Sequence, residues 1–497
     1  MGSINNPARP KRVLVIGGGP TGLATLSNLL DLGKDVFERV ELVERRDDVG
    51  GVWYLDPKPS ELPPEQKSKP RWPSPSYPGL VGNVLPEFLS FRNAAFPEPP
   101  ETPHQPFPTL KETHEYLRKF AEPYIRNGNI RLGHEVISVE ELPDEAGWRV
   151  KLRDWSNGWN GEQRDEIWDA VVIAVGWYDN PVWPGTEGLD VLREKGVATH
   201  AKWWRGPEGC EGKRVLVIGN ANSSNDVAAH LAAVAQAPVY RSIRRAAFPG
   251  FPSLPDERIE DVAPVRKYYI STPSNNKFDV ELENGTLIKD LDRVIVGTGY
   301  RPFPAFIHVL SSTDTTKLTP VPLMSEEIKP HRIPSLHRHI LYAPNPTLAF
   351  TGSTMAYTPF TVNDVASAWL ALAWTGEIPY PSTIDGRLYF ESERLKAIDD
   401  GRKEWAENLE KEGLHENRAV PSSLMQYSVL AAAEEDYAGG LREEVVKARP
   451  ELGKSVEDGG YPLWNDERRV WRERTYPLKF AALKWARENH VKGGTEI

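Results

Sequence analysis

The sequence predicts an α/β fold of two Rossmann-like dinucleotide-binding domains, the second inserted in the first. Three observations predict it. The apolar run Val13-Leu14-Val15-Ile16 passes through Gly17-x-Gly19-x-x-Gly22 into the helical stretch Leu23 to Leu32, the order of strand, glycine turn and helix that opens a βαβ unit. A second run, Val215-Leu216-Val217-Ile218, repeats that order from Gly219 near the middle of the chain. Two later strand-like runs, Trp168 to Gly176 and Asp292 to Tyr300, each follow one of these starts and end in small residues, which is the trace one nucleotide unit nested in another leaves in a sequence.

In the first turn each glycine has its own task. Gly17 makes the tight turn, Gly19 lets the backbone approach a pyrophosphate, and Gly22 lets the helix pack on the strand. Pro20 and Thr21 stand at the helix start, where free N–H groups and the helix dipole favour phosphate. Roughly 20 residues further on, the run Val40-Glu41-Leu42-Val43 ends at Glu44, whose carboxylate is placed to accept bonds from a ribose diol.

In the second turn Ala221 and Ser224 replace the second and third glycines, with Asn220, Ser223 and Asn225 around them. Small side chains keep the turn plausible though less open. Its partner strand, Pro238 to Arg245, ends in no acid and offers Arg241, Ser242, Arg244 and Arg245. A carboxylate there would repel a 2′-phosphate, whereas guanidinium groups bind one bidentately. NADPH is therefore expected at this site in preference to NADH.

The rest of the chain is read in order. Pro57 to Pro78 is too rich in proline for helix or central strand and reads as a surface excursion. Gln105 to Arg126 reads as a helix entered through Thr109, followed by strands around 131–140 and 148–152. Asn284-Gly285-Thr286 fits a glycosylation sequon but reads as a hairpin turn. The first domain resumes near Arg332, and the strand Thr347 to Gly352 leads through Pro359-Phe360-Thr361 into the helix Val362 to Thr375. The expected bounds are 1–205 and 332–390 for the first domain, 206–331 for the second, and 391–497 for a charged helical extension covering the first. Trp405, Trp464, Trp471 and Trp485 of that tail are expected to anchor it in the core.

Composition bounds the function. A length of 497 residues holds two or three domains, and a formal net charge of −10 argues against nucleic-acid or anionic-membrane partners. Cys210 is the single cysteine, so disulfide frameworks, Cys-rich metal sites and a redox CxxC pair are excluded. No His/Asp/Glu cluster has metal-ligand spacing, and no metal is expected. No apolar run approaches a membrane span, no signal-peptide core is present, and Asn6 stands where a myristoylation start needs Ser or Thr. A soluble cytoplasmic protein is expected, with homo-oligomerisation left open.

These residues resemble the flavin-containing monooxygenases, class B flavoproteins that use FAD and NADPH in one polypeptide, from Arg12 to about Pro381. The resemblance rests on the first glycine turn, on Glu44 followed by Gly50-Gly51-Val52-Trp53, and on Tyr77 to Asn83. It extends to Gly196-x-x-x-His200-x-x-x-Trp204-Arg205, the second turn, and Thr298-Gly299-Tyr300. Glu194 and Trp204 stand where the family's identifying pattern has an aromatic residue and a Tyr or Phe. The Ala221 and Asn225-Asp226 form is similar to the fungal branch.

The resemblance implies an FAD site drawn from the first turn, Glu44, Arg45, Gly51, Val52, Trp53, Val136, Ala174 and Gly176, with N–H groups added near Phe360 and Thr361. It implies an NADPH site drawn from the second turn, Arg241, Ser242, Arg244, Thr298, Gly299 and Tyr300. The reaction implied is transfer of one oxygen atom from O2 through a flavin C4a-hydroperoxide to a small amine, alkaloid or sulfide, with N-oxygenation foremost. The related Baeyer–Villiger monooxygenases carry a tryptophan at the place of Trp204 and an aspartate where Tyr77-Pro78-Gly79-Leu80-Val81-Gly82 leads into Asn83. An amide imposes no charge there and suits a protonated, electrophilic oxidant, so Asn83 is the expected catalytic residue. Ketone oxygenation, and a flavin-dependent isomerase or binding protein that has lost NADPH use, stay open as alternatives.

Overall fold

A computed structural model describes residues 9–57, 71–97, 104–156, 161–244, 253–272, 277–314, 317–411, 424 and 426–489. Most of the proline-rich excursion, Arg245, and the terminal residues 1–8 and 490–497 lie outside them.

The chain opens with β1 (Arg12–Ile16), α1 (Pro20–Leu32) and β2 (Arg39–Glu44), a parallel βαβ unit in which Val13 pairs with Val40. After the excursion comes α2 (Leu110–Arg126), started by a full capping box between Thr109 and Glu112, the spacing that marks a helix start in sequence. There follow β3 (Ile130–Leu132), β4 (His134–Glu141), β5 (Trp148–Asp154), β6 (Glu162–Trp168) and β7 (Ala170–Ile173).

The second unit contains α3 (Leu189–Glu194), β8 (Ala198–His200), β9 (Val215–Ile218), α4 (Asn222–Ala232), β10 (Val239–Ser242) and β11 (Ile259–Val262). An antiparallel meander of β12 (Val265–Thr272), β13 (Lys277–Leu282) and β14 (Leu287–Leu291) turns at Gly285, and β15 (Arg293–Val296) closes the unit. The return consists of β16 (Ile307–Asp314), β17 (Lys317–Pro322), β18 (Leu336–His337), β19 (Leu341–Tyr342), β20 (Leu348–Phe350) and α5 (Pro359–Thr375). The helices α6 (Ile384–Lys411), α7 (Glu434–Ala448) and α8 (Asp466–Glu488) follow.

Two sheets carry the two glycine turns. The first has the order β18-β19-β20-β7-β1-β2-β3, parallel from β20 to β3; the second, β11-β10-β9-β15-β8, is parallel throughout. Parallel strands covered on both faces need near-continuous apolar sequence, and Val13–Ile16, Ala170–Ile173 and Val215–Val217 are accordingly buried. Helix α5, buried on all sides, packs against α1 and fills the largest core with Trp369 and Trp374.

Strand pairing differs from the boundaries expected at 206 and 331. β8 lies before residue 206 yet forms an edge of the second sheet beside β15, and β16 lies before 332 yet runs parallel to β4 in the five-stranded sheet β17-β16-β4-β5-β6. β8, an edge strand of three residues, carries too little periodicity to be assigned without its partner, and β16 is placed by a pairing with β4 that its own sequence does not show.

The tail departs further from expectation. Its first helix starts at Ile384, inside the segment assigned to the first domain, because Glu391 meets Arg332 and Arg387 donates to the Ala343 carbonyl, tying α6 to the β18–β19 region. Trp471 is 42% exposed with its indole N–H on Glu87, and Trp485 stacks on His104. Trp464 packs half-buried against the main core as expected, but among the described residues the fully buried tryptophans are Trp148, Trp168, Trp369 and Trp374.

Candidate dinucleotide and reaction site

At the first turn Gly17 adopts φ +111° and an added Cβ would lie 2.6 Å from the Ala174 carbonyl oxygen. A Cβ on Gly22 would overlap the Gly17 carbonyl oxygen. Gly19 is the N-cap of α1, with no side chain capping the helix and no acid in its first turn. Helix starts normally recruit a side-chain acceptor for their first N–H groups, as α2 does with Thr109 and α8 with Asn465. The omission at α1 leaves a ready anion site.

Glu44 is buried beside this turn. Its Oε2 accepts from the Gly18 N–H at 2.7 Å and its Oε1 from the Arg46 N–H at 2.9 Å, so each oxygen retains a lone pair for a hydroxyl. Gly51, at φ +58°, packs on Gly19, where an added Cβ would lie 2.8 Å from its Cα. Trp53, two residues on, meets Phe360 edge-on at 6.4 Å, and a Cβ on Gly82 would touch the Trp53 ring at 3.8 Å. The loop ending at half-buried Asn83 is thus joined to the first turn through Trp53.

Other predicted residues sit less directly. Val136 packs under the sheet among residues that include Ile16 and Val43, and Gly176 turns at φ +63° beside Tyr178. Arg45 is held by both oxygens of Asp179 at 2.7 Å. Val52 gives its carbonyl to Ser74. At α5 the Glu434 carboxylate takes the N–H and hydroxyl of Thr358, while Thr361 accepts from Arg468 at 3.2 Å.

The second turn repeats three backbone bonds of the first. Gly219 N–H donates to Ser242 O as Gly17 N–H does to Val43 O; Gly297 N–H donates to Ile218 O as Ala174 N–H does to Ile16 O; Asn225 N–H reaches Ala221 O as Leu23 N–H reaches Gly19 O. Ala221 is the N-cap of α4, again without a capping side chain or an acid in the first turn. Ser224 Oγ donates to Gly297 O at 3.1 Å, and an added Cβ on Gly297 would overlap that hydroxyl.

The same equivalence locates the ribose end. With Ser242 in the role of Val43, Ile243 stands where Glu44 stands and Arg244 where Arg45 stands. Arg241 falls one step inside: it is buried, paired with Asp261 at 2.6 and 2.9 Å, and donates to Asn225 Oδ1 at 2.8 Å. Its charge is spent within the protein. Arg244 is exposed at the strand end.

Between the two units lies a polar junction. Tyr77, on the loop leading to Asn83, donates its hydroxyl to Asp226 of α4 and sets its ring edge-on to His230 at 5.7 Å, while Trp204 stacks on the other side of His230. Arg205 crosses to the Ser74 carbonyl at 2.7 Å. Thr298 and Gly299 bond the Val182 backbone, and Tyr300 meets His200 at 5.2 Å. Burial pushes the His200 pKa down to about 4, which keeps the ring neutral near neutral pH. Sequence reasoning missed Asp226 as a bridge and missed Lys479, whose amine bonds the Gly82 carbonyl at 2.6 Å. Neither carried a local signal beyond residue type.

Among the described residues no group of three or more His, Cys, Asp or Glu could hold a metal, and no helix is long and apolar enough to cross a membrane.

Residues 10–248 match the family model for flavin-binding monooxygenase-like proteins. The chain is 27% identical over 378 residues to the thiol-specific monooxygenase of Saccharomyces cerevisiae, covering 76% of this chain and 79% of the relative. It is 28% identical over 404 residues to flavin-containing monooxygenase FMO GS-OX3 of Arabidopsis thaliana, covering 77% and 78%. Its fold matches that of S-allyl-L-cysteine S-oxygenase from Allium sativum with a TM-score of 0.62 at 22% identity, over 94% of this chain and 98% of the other.

Proposed function

Because this chain belongs to the flavin-containing monooxygenase family, we propose that it transfers one oxygen atom from O2 to the nitrogen of a small amine or alkaloid, with FAD at the first turn and NADPH as reductant at the second. FAD suits the first turn on three counts: α1 starts uncapped, the glycines leave a backbone wall with no side chain, and Glu44 keeps a lone pair on each oxygen. The second turn suits NADPH because α4 starts uncapped and the strand end offers Arg244 with no acid at Ile243. Bound at these turns, FAD would supply the activation of oxygen and NADPH the electrons for it.

The chain's own residues bind, orient and shield. The first sheet serves as the FAD unit and the second as the NADPH unit, with α6 to α8 covering the first. Tyr77 and Asp226 hold the two units in register, and Trp53 and Phe360 form an apolar wall that excludes water. The observation that carries heteroatom over carbonyl oxygenation is the uncharged amide of Asn83 on the loop that meets Trp53. The position itself carries no carboxylate that would hold an oxidant anionic.

Sulfur is the second reading. It is favoured by two of the similar proteins, whose names specify thiols and an S-oxygenase. Aerobic turnover with NADPH and matched panels of amines, sulfides and ketones, followed by mass analysis, separates the readings. A gain of one oxygen on amines supports the proposal. A gain on sulfides alone replaces it with the second reading, and ester formation from ketones overturns both.

A further inference from the structure

Helix α8 is turned inside out. Arg468, Arg472, Thr475, Lys479 and Ala482 recur at three- and four-residue steps and share one face, and on that face Arg472, Thr475, Lys479 and Ala482 are buried. Val470, Trp471, Leu478 and Phe480, which an ordinary covering helix would bury, are 40–45% exposed. Such local violations of the sequence rule concentrate at functional sites.

What holds the helix this way round is polar. Arg472 pairs with Glu435 at 2.9 Å, and Arg468 reaches Thr361 at the start of α5. Lys479 spends its donors on the loop before Asn83: Nζ lies 2.6 Å from Gly82 O, 3.4 Å from Val81 O and 4.9 Å from the centre of the Phe107 ring. From the other side the Gly82 N–H is held by Pro108 O at 2.8 Å.

We propose that Lys479 is a positioning residue of the reaction site, gripping the Gly82–Asn83 peptide and thereby fixing the direction in which Asn83 presents its N–H and amide. A trans peptide is a rigid plane whose carbonyl and N–H point opposite ways. An amine that holds the Gly82 oxygen therefore aims the Asn83 N–H away from α8. Charge makes such a grip roughly twice as strong as a neutral hydrogen bond.

The grip is also linked to the nucleotide units. Asp226 of α4, which accepts from Tyr77, favours the charged amine; burial opposes it and brings the Lys479 pKa down to about 8. The other titratable groups around this junction are His230 and Tyr77, with Arg472 and Arg468 on α8 itself. The amine thus loses its proton as pH rises through about 8, and the hold on the loop weakens in that range.

This inference rests on the reading of Asn83 as the amide that positions the reactants, and its test is chosen to fail separately. In the FAD-loaded full chain, Lys479→Met and Lys479→Arg are compared with Lys484→Met, a change on the exposed side of the same helix. Two quantities are read: amide exchange across Leu80–Val84, and hydrogen peroxide released per NADPH oxidised from about pH 6.5 to 9. Lys479→Met is expected to speed exchange of the Gly82 N–H, held by Pro108 O, about tenfold and to raise peroxide release several-fold at low pH. It should also abolish the rise in peroxide that the unaltered protein shows above about pH 8. Lys479→Arg restores part of each, and Lys484→Met changes neither. Unaltered exchange in Lys479→Met overturns the proposal, as does faster exchange with the normal peroxide yield and pH curve, which marks Lys479 as structural only. Absence of any oxygenated product from the unaltered protein sinks the functional reading instead, and amide exchange still reports on the grip.

Discussion

The two glycine turns meet the same steric demand with the small residue on opposite walls. In the first, the helix supplies Gly22 and the facing strand end supplies Ala174; in the second, the helix supplies Ser224 and the strand end supplies Gly297. A Cβ on Gly22 would meet Ala174 Cβ at an ordinary 3.5 Å but overlap the Gly17 carbonyl oxygen, so the helix side of the first turn must stay bare; in the second it is the strand side, where a Cβ on Gly297 would overlap the Ser224 hydroxyl. Ser224 is thereby a fitted replacement, with its hydroxyl bonded to Gly297 O. A glycine fingerprint is a statement about a pair of positions some 75 to 150 residues apart, and only the nearer half of the pair is visible in the motif.

The largest expected effect follows from the half that cannot be exchanged. Gly22→Ala puts a methyl group onto the Gly17 carbonyl oxygen, a backbone atom with no rotamer to escape into, so the protein should purify without FAD. Flavin absorbance of the purified variant is the check, and a fully yellow Gly22→Ala protein breaks the comparison. Gly297→Ala overlaps the Ser224 hydroxyl, which can rotate at the cost of its hydrogen bond, and its other close neighbours, Ile218 O and Ser224 Cβ, stand at 3.2 Å. Overpacking of this kind costs about 1–3 kcal/mol. FAD content should stay normal while NADPH binds more weakly, and adding Ser224→Gly should recover most of the loss. Titration of NADPH against the single and double variants tests this; no recovery means the two positions are not exchanging roles.

The walls of the two turns differ in charge as well. Glu44 holds two backbone N–H groups in the first turn, and Ile243 stands in its place in the second. Glu44→Gln keeps the shape but turns an NH2 group toward one of those donors, leaving a buried N–H unpaired at about 1–3 kcal/mol. FAD affinity should fall about tenfold to a hundredfold, measured by titrating flavin into the apoprotein. NADPH affinity should not change.

How much of this was legible in the sequence depends on how local each signal is. The helix α2 was readable because Thr109 and Glu112 complete their capping box within four residues. β1, β7 and β9 were readable because strands buried on both faces are apolar throughout. The place of β16 was not, since its partner β4 lies some 170 residues earlier and pairing registers leave no mark on either strand alone. The tail was misjudged for a related reason. Tryptophan buries more apolar area than any other side chain, which favours Trp471 as an anchor, yet the tertiary contacts of Arg472 and Lys479 decide which side of α8 turns inward. Lys479 looks in sequence like any solvated lysine on a charged helix.

Arginine shows the same limit at the finest scale, and the smallest expected effect lies there. Pro238 to Arg245 reads as a cluster of equivalent cations, but alternation along the strand separates Arg241 from Arg244. Arg241 meets Asp261 and Asn225 inside the unit; removing it leaves the exposed Asp261 without this ion pair, takes a donor from the buried Asn225 amide oxygen and loosens α4. Arg241→Ala should therefore lower thermal stability and weaken NADPH and NADH alike. Arg244, exposed at the strand end, has only a 2′-phosphate to gain, and an exposed charge pair contributes about 1 kcal/mol. Arg244→Ala should thus raise the KM for NADPH about fivefold and leave NADH and the melting temperature unchanged. Equal loss for both nucleotides at Arg244 would remove the charge distinction between the two turns and leave only the steric one.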